Sequence, residues 1–454
     1  MRRPPRMPDR PPVEVLPTVE GPELRRWLSY LESLHPREIE LGLERLRPVL
    51  ERLDLTDPPF RVLTVAGTNG KGTSVAVAQA ILGAAGHCTG AYTSPHLLHF
   101  GERIRVDGRP ASEAAIVEAL ARVEASRESI PLTYFEFTTL AALDLFRSAG
   151  VSHAVLEVGL GGRLDAVNAI DADVALITRI ARDHVQWLGT DIDDIAREKA
   201  GVVRPGRPAV IASREAPPAL LEETERLGAR PRVLGRDYEW QGTPGESWSI
   251  AGVGPVRLSD LPGASPWSRP WQRDNLAGAV AAVACLAPES LDPPERVAAA
   301  LSLVDLPGRL QQLDTEPPTL LDVAHNPDAA RALADWLVAH PVSGSTRAVF
   351  AARADKDVSG VVSALDDFVD EWWLADLSSE GGMAASQLGT KLDPGRQVLE
   401  IHEGRPGETW QAALAVSGES DRVLVLGSFL TVADVLRLHS GSRHTDSDRT
   451  GHRA

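Results

Sequence analysis

A short apolar run that ends in a glycine-rich turn is the feature that most constrains this fold. Residues 62–65 are apolar or β-branched and predict a buried strand, residues 67–73 (GTNGKGT) form the turn, and residues 74–82 have the alanine-rich pattern of a helix. Glycines allow backbone N–H groups to converge on an anion, and the N-terminus of the following helix adds a partial positive charge. The stretch therefore predicts a strand, a phosphate-binding loop and a helix.

The polar residues of this turn favour a nucleotide over a plain connection. Lys71 supplies a positive charge for the outer phosphates of a nucleotide, and Thr73 offers a hydroxyl group to a Mg²⁺ ion. The common nucleotide loop has four residues between its first glycine and the Gly-Lys pair, whereas two residues separate Gly67 from Gly70 here, and Gly72 follows the lysine. The loop is therefore a variant, and the alternative is a glycine turn that only joins a strand to a helix.

Composition and charge limit the classes of protein that remain. The 454 residues are enough for two or three domains, and the net charge of −16, with no basic stripe, argues against a nucleic-acid surface. The apolar runs are shorter than the roughly 20 residues that span a bilayer. Only Cys88 and Cys285 occur, which indicates a reducing compartment. We expect a cytoplasmic monomer that acts on small molecules, without nucleic acid or membrane as a partner.

Two predicted strands end in side chains that suit a metal ion. Ser94 follows a strand over residues 89–93 and precedes Pro95, which favours an extended backbone at the serine. Glu157 lies in the apolar strand 155–158, where a carboxylate is unfavourable unless it is paired or bound to a metal. A salt-bridged structural glutamate and a plain serine turn are the alternatives.

A third strand, over residues 174–180, leads to Asp183 and His184. Ligands bind at the carboxyl ends of parallel strands in such sheets, so the position favours a site. Asp183 is expected to orient the imidazole ring of His184 while the other ring nitrogen meets a metal. A hydrogen-bonded surface pair is the alternative.

The predicted fold is α/β, with an N-terminal P-loop-type, mostly parallel sheet flanked by helices and a smaller C-terminal Rossmann-like α/β domain. We assign residues 13–305 to the first domain and residues 306–438 to the second. Residues 232–258 predict antiparallel strands at the edge of the first sheet. Residues 1–12 and 439–454 are polar and are expected to be disordered.

The loop and further stretches of the chain resemble the Mur ligase superfamily, and within it the bifunctional dihydrofolate synthase/folylpolyglutamate synthases. The resemblance extends over residues 24–438. The other stretches that carry it are residues 93–97 (TSPHL), 156–166 (LEVGLGGRLDA), 183–184 with 188–189, 198–201 (EKAG), 307–309 (PGR) and 322–327 (DVAHNP).

The resemblance implies an ATP-dependent ligase that joins L-glutamate to dihydropteroate, giving dihydrofolate, and to tetrahydrofolates, through an acyl phosphate. It implies ATP as co-substrate and Mg²⁺, as two ions, as cofactor. A nucleotide-dependent switch without ligase chemistry is one alternative. A murein-precursor ligase is another, although no uridine-nucleotide module is apparent before Val62.

The resemblance also assigns roles to individual residues. The catalytic residues are Lys71, His184 and Lys199. The ATP-binding residues are Gly67, Thr68, Asn69, Gly70, Lys71, Gly72, Thr73, Asn275, Arg309 and Asp322. The metal ligands are Ser94, Glu157 and His184. The dihydropteroate- or folate-binding residues are Ile39, Glu40, Leu41, Thr133, Tyr134, Phe135 and Glu136. A helix connector at residues 35–41, a core position for Phe135 and a helix N-cap at Asn275 are the alternatives.

Lys199 is expected to carry a carbamate formed with CO₂, as the matching lysine of the family does. Only four of the 47 basic residues are lysine, and guanidinium is a poor nucleophile for CO₂. An unmodified ammonium group near Mg²⁺ would repel the ion by about 4 kcal/mol per unit of metal charge at roughly 4 Å and an effective dielectric constant near 20. A helix lysine paired with Glu198 or Asp194 is the alternative. Residues 355–357 (Asp-Lys-Asp) also match the family and have no assigned role.

Overall fold

The computed structural model describes residues 20–35, 39–242, 247–253, 258–261, 269–378, 381–392, 398–401 and 404–450. The expected disorder of residues 1–12 lies outside the described residues. No helix in this part of the chain combines the length and the apolar character that a membrane span requires.

The first unit of the described chain contains an eight-stranded sheet with strand order β4-β3-β2-β5-β1-β6-β7-β8. The six strands from β2 to β8 in this order are parallel, and β3 and β4 pair antiparallel at one edge. The strands are β1 (Arg61–Ala66), β2 (Thr89–Tyr92), β3 (Ile104–Val106), β4 (Arg109–Pro110), β5 (His153–Glu157), β6 (Val174–Ile177), β7 (Pro208–Ile211) and β8 (Arg230–Val233).

Helices cover both faces of this sheet. They are α1 (Pro22–Leu34), α2 (Leu46–Arg52), α3 (Lys71–Ala84), α4 (Glu113–Arg127), α5 (Tyr134–Ser148), α6 (Val185–Leu188), α7 (Ile192–Ala200), α8 (Pro218–Arg226), α9 (Pro270–Leu286) and α10 (Pro294–Ser302). Successive residues of a strand point to opposite faces, so Val62 joins one core and Leu63 the other. The central strands are buried on both sides, which explains their continuous apolar pattern.

The second unit contains a six-stranded sheet with order β12-β13-β17-β14-β15-β16, in which only the edge strand β12 is antiparallel among the described residues. The predicted α/β alternation of this half is confirmed. Its elements are β12 (Arg309–Leu313), β13 (Thr319–Asp322), α11 (Pro327–Ala339), β14 (Thr346–Phe350), α12 (Val358–Leu365), β15 (Glu371–Leu374), α13 (Ala385–Lys391), β16 (Val398–Ile401), α14 (Pro406–Ala415), β17 (Arg422–Leu426) and α15 (Phe429–Thr450).

The prediction that residues 232–258 extend the edge of the first sheet is wrong. Strands β9 (Glu239–Gln241), β10 (Trp248–Ala251) and β11 (Leu258–Leu261) form a separate antiparallel sheet, and β8 is the last strand of the main sheet in the described chain. Trp248 and Ile250 are buried in the core that also contains α9. Burial of these side chains against a helix face therefore decides the position of the small sheet.

The described chain also differs from the predictions at a terminus and at a helix start. Residues 439–450, expected to be disordered, continue α15 as far as Thr450. Val432 and Val435, near the start of this helix, are buried in a hydrophobic core of the second unit. Once a helix has been nucleated in this way, its extension through polar residues costs little free energy. The spacing of apolar residues over 41–53 predicts a helix, but α2 covers only Leu46–Arg52, because Gly42 adopts a φ of +153° and the chain before the helix is a turn.

Candidate active site

The glycine-rich loop joins β1 to α3 and depends on two glycines. Gly67 has a φ of +140° and Gly70 a φ of +97°. A Cβ atom at Gly67 would lie 1.8 Å from Thr178 Oγ1, and one at Gly70 would lie 2.1 Å from Asn275 Oδ1. Only glycine fits both positions, so the loop backbone lies directly against the end of β6 and against α9.

Lys71 and Thr68 of the loop make different hydrogen bonds. Lys71 Nζ donates to the carbonyl oxygens of Gly67 at 3.2 Å and Thr68 at 3.1 Å, which holds the ammonium group over the loop. The hydroxyl group of Thr68 donates to Ala181 O and accepts from Ala181 N, both at 3.0 Å. The lysine is therefore placed for phosphate, while the Thr68 side chain fastens the loop to the chain that follows β6.

A carboxylate, the loop and an arginine from the second unit converge beside α3. Glu157 ends β5 and is 6% exposed, and its Oε2 accepts from Ser94 N at 3.3 Å. Burial raises the pKa of Glu157, while the charges of Lys71 and Arg309 oppose that rise. A Cβ atom at Gly72 would lie 3.2 Å from Arg309 Nη2 and 3.6 Å from Glu157 Oε2. The two units therefore meet at the phosphate loop.

Lys199 and His184 also line the cleft that the loop borders. Lys199 is 4% exposed, and its Nζ donates to Gly67 O at 2.9 Å. Burial and the nearby charge of Lys71 lower the pKa of Lys199 to about 7. Burial and the charge of Lys356 lower the pKa of His184 to about 4, so its imidazole is neutral at pH 7 and has a lone pair for a metal.

The donors in this cleft fit a metal that is bound together with a nucleotide. The described residues contain no group of three or more His, Cys, Asp and Glu side chains that could hold a metal ion. Mg²⁺, however, typically uses one or two protein carboxylates and takes its other ligands from phosphates and water. The buried carboxylate of Glu157 beside Ser94 suits this mode of binding.

The prediction that Asp183 orients the ring of His184 is wrong. The Asp183 carboxylate accepts from Lys356 Nζ at 2.6 Å, Asn326 Nδ2 at 3.1 Å and His325 Nε2 at 3.2 Å, and from the backbone N of His184 at 2.8 Å. Although burial alone raises the pKa of Asp183, the hydrogen bond and charge of His325 and the charge of Lys356 hold it well below its usual range. The Lys356 ammonium and two further side chains of the second unit occupy this carboxylate in place of the His184 ring.

The phosphate loop itself is bonded to the second unit. Asn69 Nδ2 donates to Asp328 Oδ2 at 2.9 Å and to Asn326 Oδ1 at 3.2 Å. Arg179 Nε, after β6, donates to Asp328 Oδ1 at 2.8 Å. The loop and the N-terminus of α11 therefore share one polar network, and the position of the second unit is coupled to the loop.

Two further predicted nucleotide residues, one from each unit, line the same cleft as the loop. Asn275 lies in the second turn of α9, because this helix begins at Pro270, so the alternative role of Asn275 as an N-cap is excluded. Asp322 ends β13 and accepts from Leu310 N at 3.0 Å and Ala324 N at 2.9 Å. Each carboxylate oxygen of Asp322 thus retains a lone pair for a ligand.

These side chains line one cleft of about 1340 Å³ between the two units. The lining includes every predicted catalytic, nucleotide and metal residue: Gly67, Thr68, Asn69, Gly70, Lys71, Gly72, Thr73, Ser94, Glu157, His184, Lys199, Asn275, Arg309 and Asp322.

Comparison with known proteins gives this cleft a context. Residues 65–226 match the Mur ligase middle domain, and residues 308–429 match the Mur ligase glutamate ligase domain. The dihydrofolate synthase/folylpolyglutamate synthase of Escherichia coli K12 is 40% identical over 421 residues, which are 92% of this chain and 96% of that protein. The protein of the same name from Haemophilus influenzae is 37% identical over 90% of this chain and 96% of its own length.

The chain belongs to the dihydrofolate synthase/folylpolyglutamate synthase family.

Solved structures agree with this family. E. coli FolC in complex with DHPP and ADP superposes with a TM-score of 0.86 at 40% identity, covering 92% of this chain and 98% of that chain. A bifunctional folylpolyglutamate synthase/dihydrofolate synthase with Mn, AMPPNP and L-glutamate bound gives a TM-score of 0.82 at 42% identity, with the same two shares of coverage. Nucleotide and a divalent metal are thus present in family structures.

The two segments assigned to folate by the family resemblance lie against each other outside the lining of the cleft. Arg45 bridges them, because its guanidinium contacts Glu40 Oε1 at 2.5 Å and Glu136 Oε1 at 2.7 Å. Thr133 and Glu136 form a reciprocal cap at the start of α5, with the Thr133 N to Glu136 Oε2 distance at 2.8 Å. Both acidic side chains therefore have structural partners in the described chain.

The aromatic residues of these segments pack against the cleft wall from behind. A Cβ atom at Gly159 would lie 2.6 Å from Cζ of the Phe135 ring, and Gly159 lines the cleft. Tyr92 packs at 5.8 Å, between ring centroids, against the same phenylalanine. Tyr134 contacts Arg103, which also lines the cleft and whose Cζ lies 5.6 Å from the centre of its ring. Each of the two aromatic rings thus lies behind a residue of the cleft wall.

Sequence reasoning missed several residues that line the cleft. Lys356 lies in the Asp-Lys-Asp stretch that had no assigned role, and its contact with Asp183 now gives it one. Arg179 and Asp328 belong to no motif, and only the meeting of the two units reveals their pairing. His325 was part of a matched stretch, but no sequence pattern indicates that its ring contacts a residue 142 positions away.

Proposed function

We propose that this chain is an ATP-dependent ligase that joins L-glutamate to the carboxyl group of dihydropteroate, giving dihydrofolate, and to tetrahydrofolates, giving polyglutamates. The observation that carries the proposal is the convergence of the phosphate loop, the buried carboxylate of Glu157, the buried amine of Lys199 and Arg309 in one cleft. Membership of the family supplies the substrate class.

Activation of the acceptor requires the γ-phosphate of ATP and its transfer to a carboxylate oxygen. Lys71 and the loop amides hold the phosphates, and Arg309 approaches them from the second unit. We assign the metal site to Ser94, Glu157 and His184, and two Mg²⁺ ions as its occupants. Bound Mg²⁺ supplies charge neutralisation to the transferring phosphoryl group. The protein contributes positioning and a partly dry environment.

Lys199 completes the site in this proposal as a carbamate. A buried amine with a pKa of about 7 is substantially unprotonated at neutral pH and can attack CO₂, forming an N–C bond and releasing one proton. The product replaces a cation by an anionic oxygen donor. Such a donor suits Mg²⁺ or its bound water, whereas an ammonium group does not.

Amide formation then needs the amino group of glutamate to reach the acyl phosphate. The acceptor enters along the wall formed by Phe135 and Gly159, and the amine displaces phosphate, which leaves with one former carboxylate oxygen. The pairing of Asp183 with Lys356 and His325 closes the second unit over the reacting groups. Closure excludes water that would otherwise hydrolyse the intermediate.

We further propose a cytoplasmic monomer that works on small molecules, with neither nucleic acid nor a membrane as partner. The net charge of −16 favours this class of substrate over a polyanion. Both cysteines are free thiols, which suits a reducing compartment.

Phosphate release with rival acceptors tests the proposal. The chain is supplied with ATP, Mg²⁺ and L-glutamate, together with dihydropteroate, tetrahydrofolate or a muramyl peptide. We expect release with dihydropteroate and tetrahydrofolate that depends on glutamate, and none above background with the muramyl peptide. Release that is independent of acceptor would indicate a nucleotide switch, and release with the peptide alone would indicate a murein-precursor ligase; either result contradicts the proposal.

A further inference from the structure

Arg269, immediately before α9, is buried without a hydrogen-bond partner for two of its N–H groups. The residue is 4% exposed, and its Nε and Nη1 atoms have no partner among the described residues. It lines the cleft between the two units. A buried guanidinium with unpaired donors is strongly unfavourable, so a group that accepts these hydrogen bonds is expected in the cleft.

Two tryptophans fix the position of this guanidinium. Arg269 Cζ lies 5.7 Å from the ring centre of Trp271 and 5.5 Å from that of Trp336. Trp271 belongs to α9, whereas Trp336 belongs to α11 in the second unit. Aromatic rings interact with the face of a guanidinium, so the N–H groups, which lie in its plane, remain available to a ligand.

The charged residues of the cleft indicate which part of a nucleotide Arg269 meets. Asn69 of the phosphate loop bonds to Asp328 at the start of α11, whereas Arg269 contacts Trp336, eight residues or about 12 Å further along the same helix. Arg269 therefore lies at the end of the cleft away from the loop, immediately before the helix that carries Asn275. Asp322 also lines the cleft, and its charge acts on Arg269.

Donors and acceptors at that end of the cleft match a vicinal diol. The carboxylate of Asp322 retains lone pairs after accepting from two backbone N–H groups, so it can accept from hydroxyl protons. Arg269 presents N–H donors to hydroxyl oxygens. A ribose offers both kinds of group on adjacent carbon atoms.

We propose that Arg269 is a specificity-determining residue that donates hydrogen bonds to the ribose hydroxyl oxygens of ATP while Asp322 accepts from the hydroxyl protons. The inference rests on the nucleotide site of the proposed function and extends it, because it makes the cleft selective for a ribonucleotide over a deoxyribonucleotide. It does not depend on the identity of the acceptor that is joined to glutamate.

Calorimetric titration of the full chain with AMPPNP and Mg²⁺, without folate or glutamate, tests the inference. The probes are AMPPNP and its 2′-deoxy and 3′-deoxy forms. We expect the parent protein to prefer the ribose form by about tenfold or more, as for the loss of a hydrogen bond to a charged group. In Arg269→Met the affinity for AMPPNP falls by about ten- to a hundredfold, and the preference over the deoxy forms falls to nearly one.

Two variants separate recognition from folding. Arg269→Lys keeps the charge without the planar fork, and we expect it to keep part of the affinity but little of the preference. Arg273 serves as a matched control, because it is also a buried arginine, four residues further along in α9, but it donates to Gly242 O at 3.1 Å and does not line the cleft. Arg273→Met, confirmed as folded by circular dichroism, is expected to retain the ribose preference.

The possible outcomes are distinct. A preserved ribose preference in Arg269→Met, or an equal loss of affinity for all three nucleotides, overturns the inference. Absence of AMPPNP binding by the parent protein overturns both the inference and the nucleotide site. If Arg269→Met loses the preference for the ribose form, the inference is supported. If, in addition, the parent protein shows no folate-dependent phosphate release, the inference is still supported but the proposed ligase function is contradicted.

Discussion

Replacement of Lys199 by arginine probes the chemistry of the cleft most sharply, because the two residues differ in whether they can lose their charge. The Lys199 amine is 4% exposed, lies 2.9 Å from Gly67 O and has its pKa lowered to about 7 by burial and by Lys71. Arginine stays protonated in this environment and cannot form the carbamate. The variant therefore keeps a cation where the proposal requires an anion.

The size of the effect follows from electrostatics. A cation about 4 Å from Mg²⁺ at an effective dielectric constant near 20 raises the energy by about 4 kcal/mol per unit of metal charge. A penalty of about 4 kcal/mol corresponds to roughly a thousandfold loss. We therefore expect Lys199→Arg to lose at least about three orders of magnitude in kcat/KM while its circular dichroism spectrum is unchanged.

The pH dependence of the parent protein has a defined sign. With a pKa of about 7 the Lys199 amine is mostly charged below pH 7 and mostly neutral above it. The neutral form is the one that reacts with CO₂, so the carbamate decreases as the pH falls through 7. In buffer depleted of CO₂ we expect low activity that added bicarbonate restores, with a stronger requirement for bicarbonate at pH 6 than at pH 8.

Detection of the modified carbon completes this test. Labelling with ¹³C-bicarbonate should give a carbamate resonance in the parent protein and none in Lys199→Arg. Lys199→Ala should regain part of its activity with added short carboxylates, which replace the missing oxygen donor. Full activity of Lys199→Arg, together with no carbamate resonance in the active parent, would refute the reasoning.

Three further predictions concern other parts of the cleft. Glu157→Gln should abolish phosphate release with the fold intact, because it removes the buried carboxylate assigned to the metal; ordinary turnover in the folded variant would rule out that role. Asp183→Asn should lower the free energy of unfolding at pH 7 by about 3 kcal/mol, measured by urea denaturation, because it removes the closer of the two carboxylates that contact the buried Lys356 ammonium, at 2.6 Å against 3.7 Å for Asp355. Because the pKa of Asp183 is lowered in the folded protein, its stabilisation is fully present above the unfolded-state pKa of about 3.9 and is lost as the pH falls below that value. The difference in stability between the parent and Asp183→Asn should therefore shrink below pH 4. The control Asp194→Asn, at an exposed ion pair, should change stability by less than about 0.5 kcal/mol at either pH. Phe135→Ala should raise the KM for dihydropteroate with little change in the KM for ATP, and equal effects on the two constants would indicate a purely structural ring.

The order of elements followed from local patterns in the sequence. Residues 62–66 of strand β1 are apolar or β-branched because both faces of the strand are buried there. The glycines of the loop mark a turn where a side chain would collide with Thr178 or Asn275. These features are properties of a few consecutive residues. They could therefore be predicted without knowing how the two units meet.

The partners of individual side chains could not be predicted in the same way. Asp183 was expected to orient the adjacent His184, but residues from the second unit, 142 to 173 positions away, compete more strongly for its carboxylate. Arg269 lies in no motif, and its tryptophan contacts come from both units. Such contacts depend on the docking of two cores, which no local pattern encodes.

One local feature was present in the sequence and was overlooked. Thr133 and Glu136 have the spacing of a reciprocal helix cap, and the structure uses them as one. The resemblance to the family placed both residues at the folate. Their hydrogen bonds to each other and to Arg45 explain their identity without a ligand.

Oxygen transfer from the acceptor carboxylate to phosphate tests the central claim most directly. Dihydropteroate labelled with ¹⁸O in its carboxyl group is incubated with the protein, ATP, Mg²⁺ and L-glutamate, and the released phosphate is analysed by mass spectrometry. An acyl phosphate requires one labelled oxygen to appear in each phosphate released with dihydrofolate. Dihydrofolate formed with unlabelled phosphate, or phosphate released without any amide product, would contradict the account.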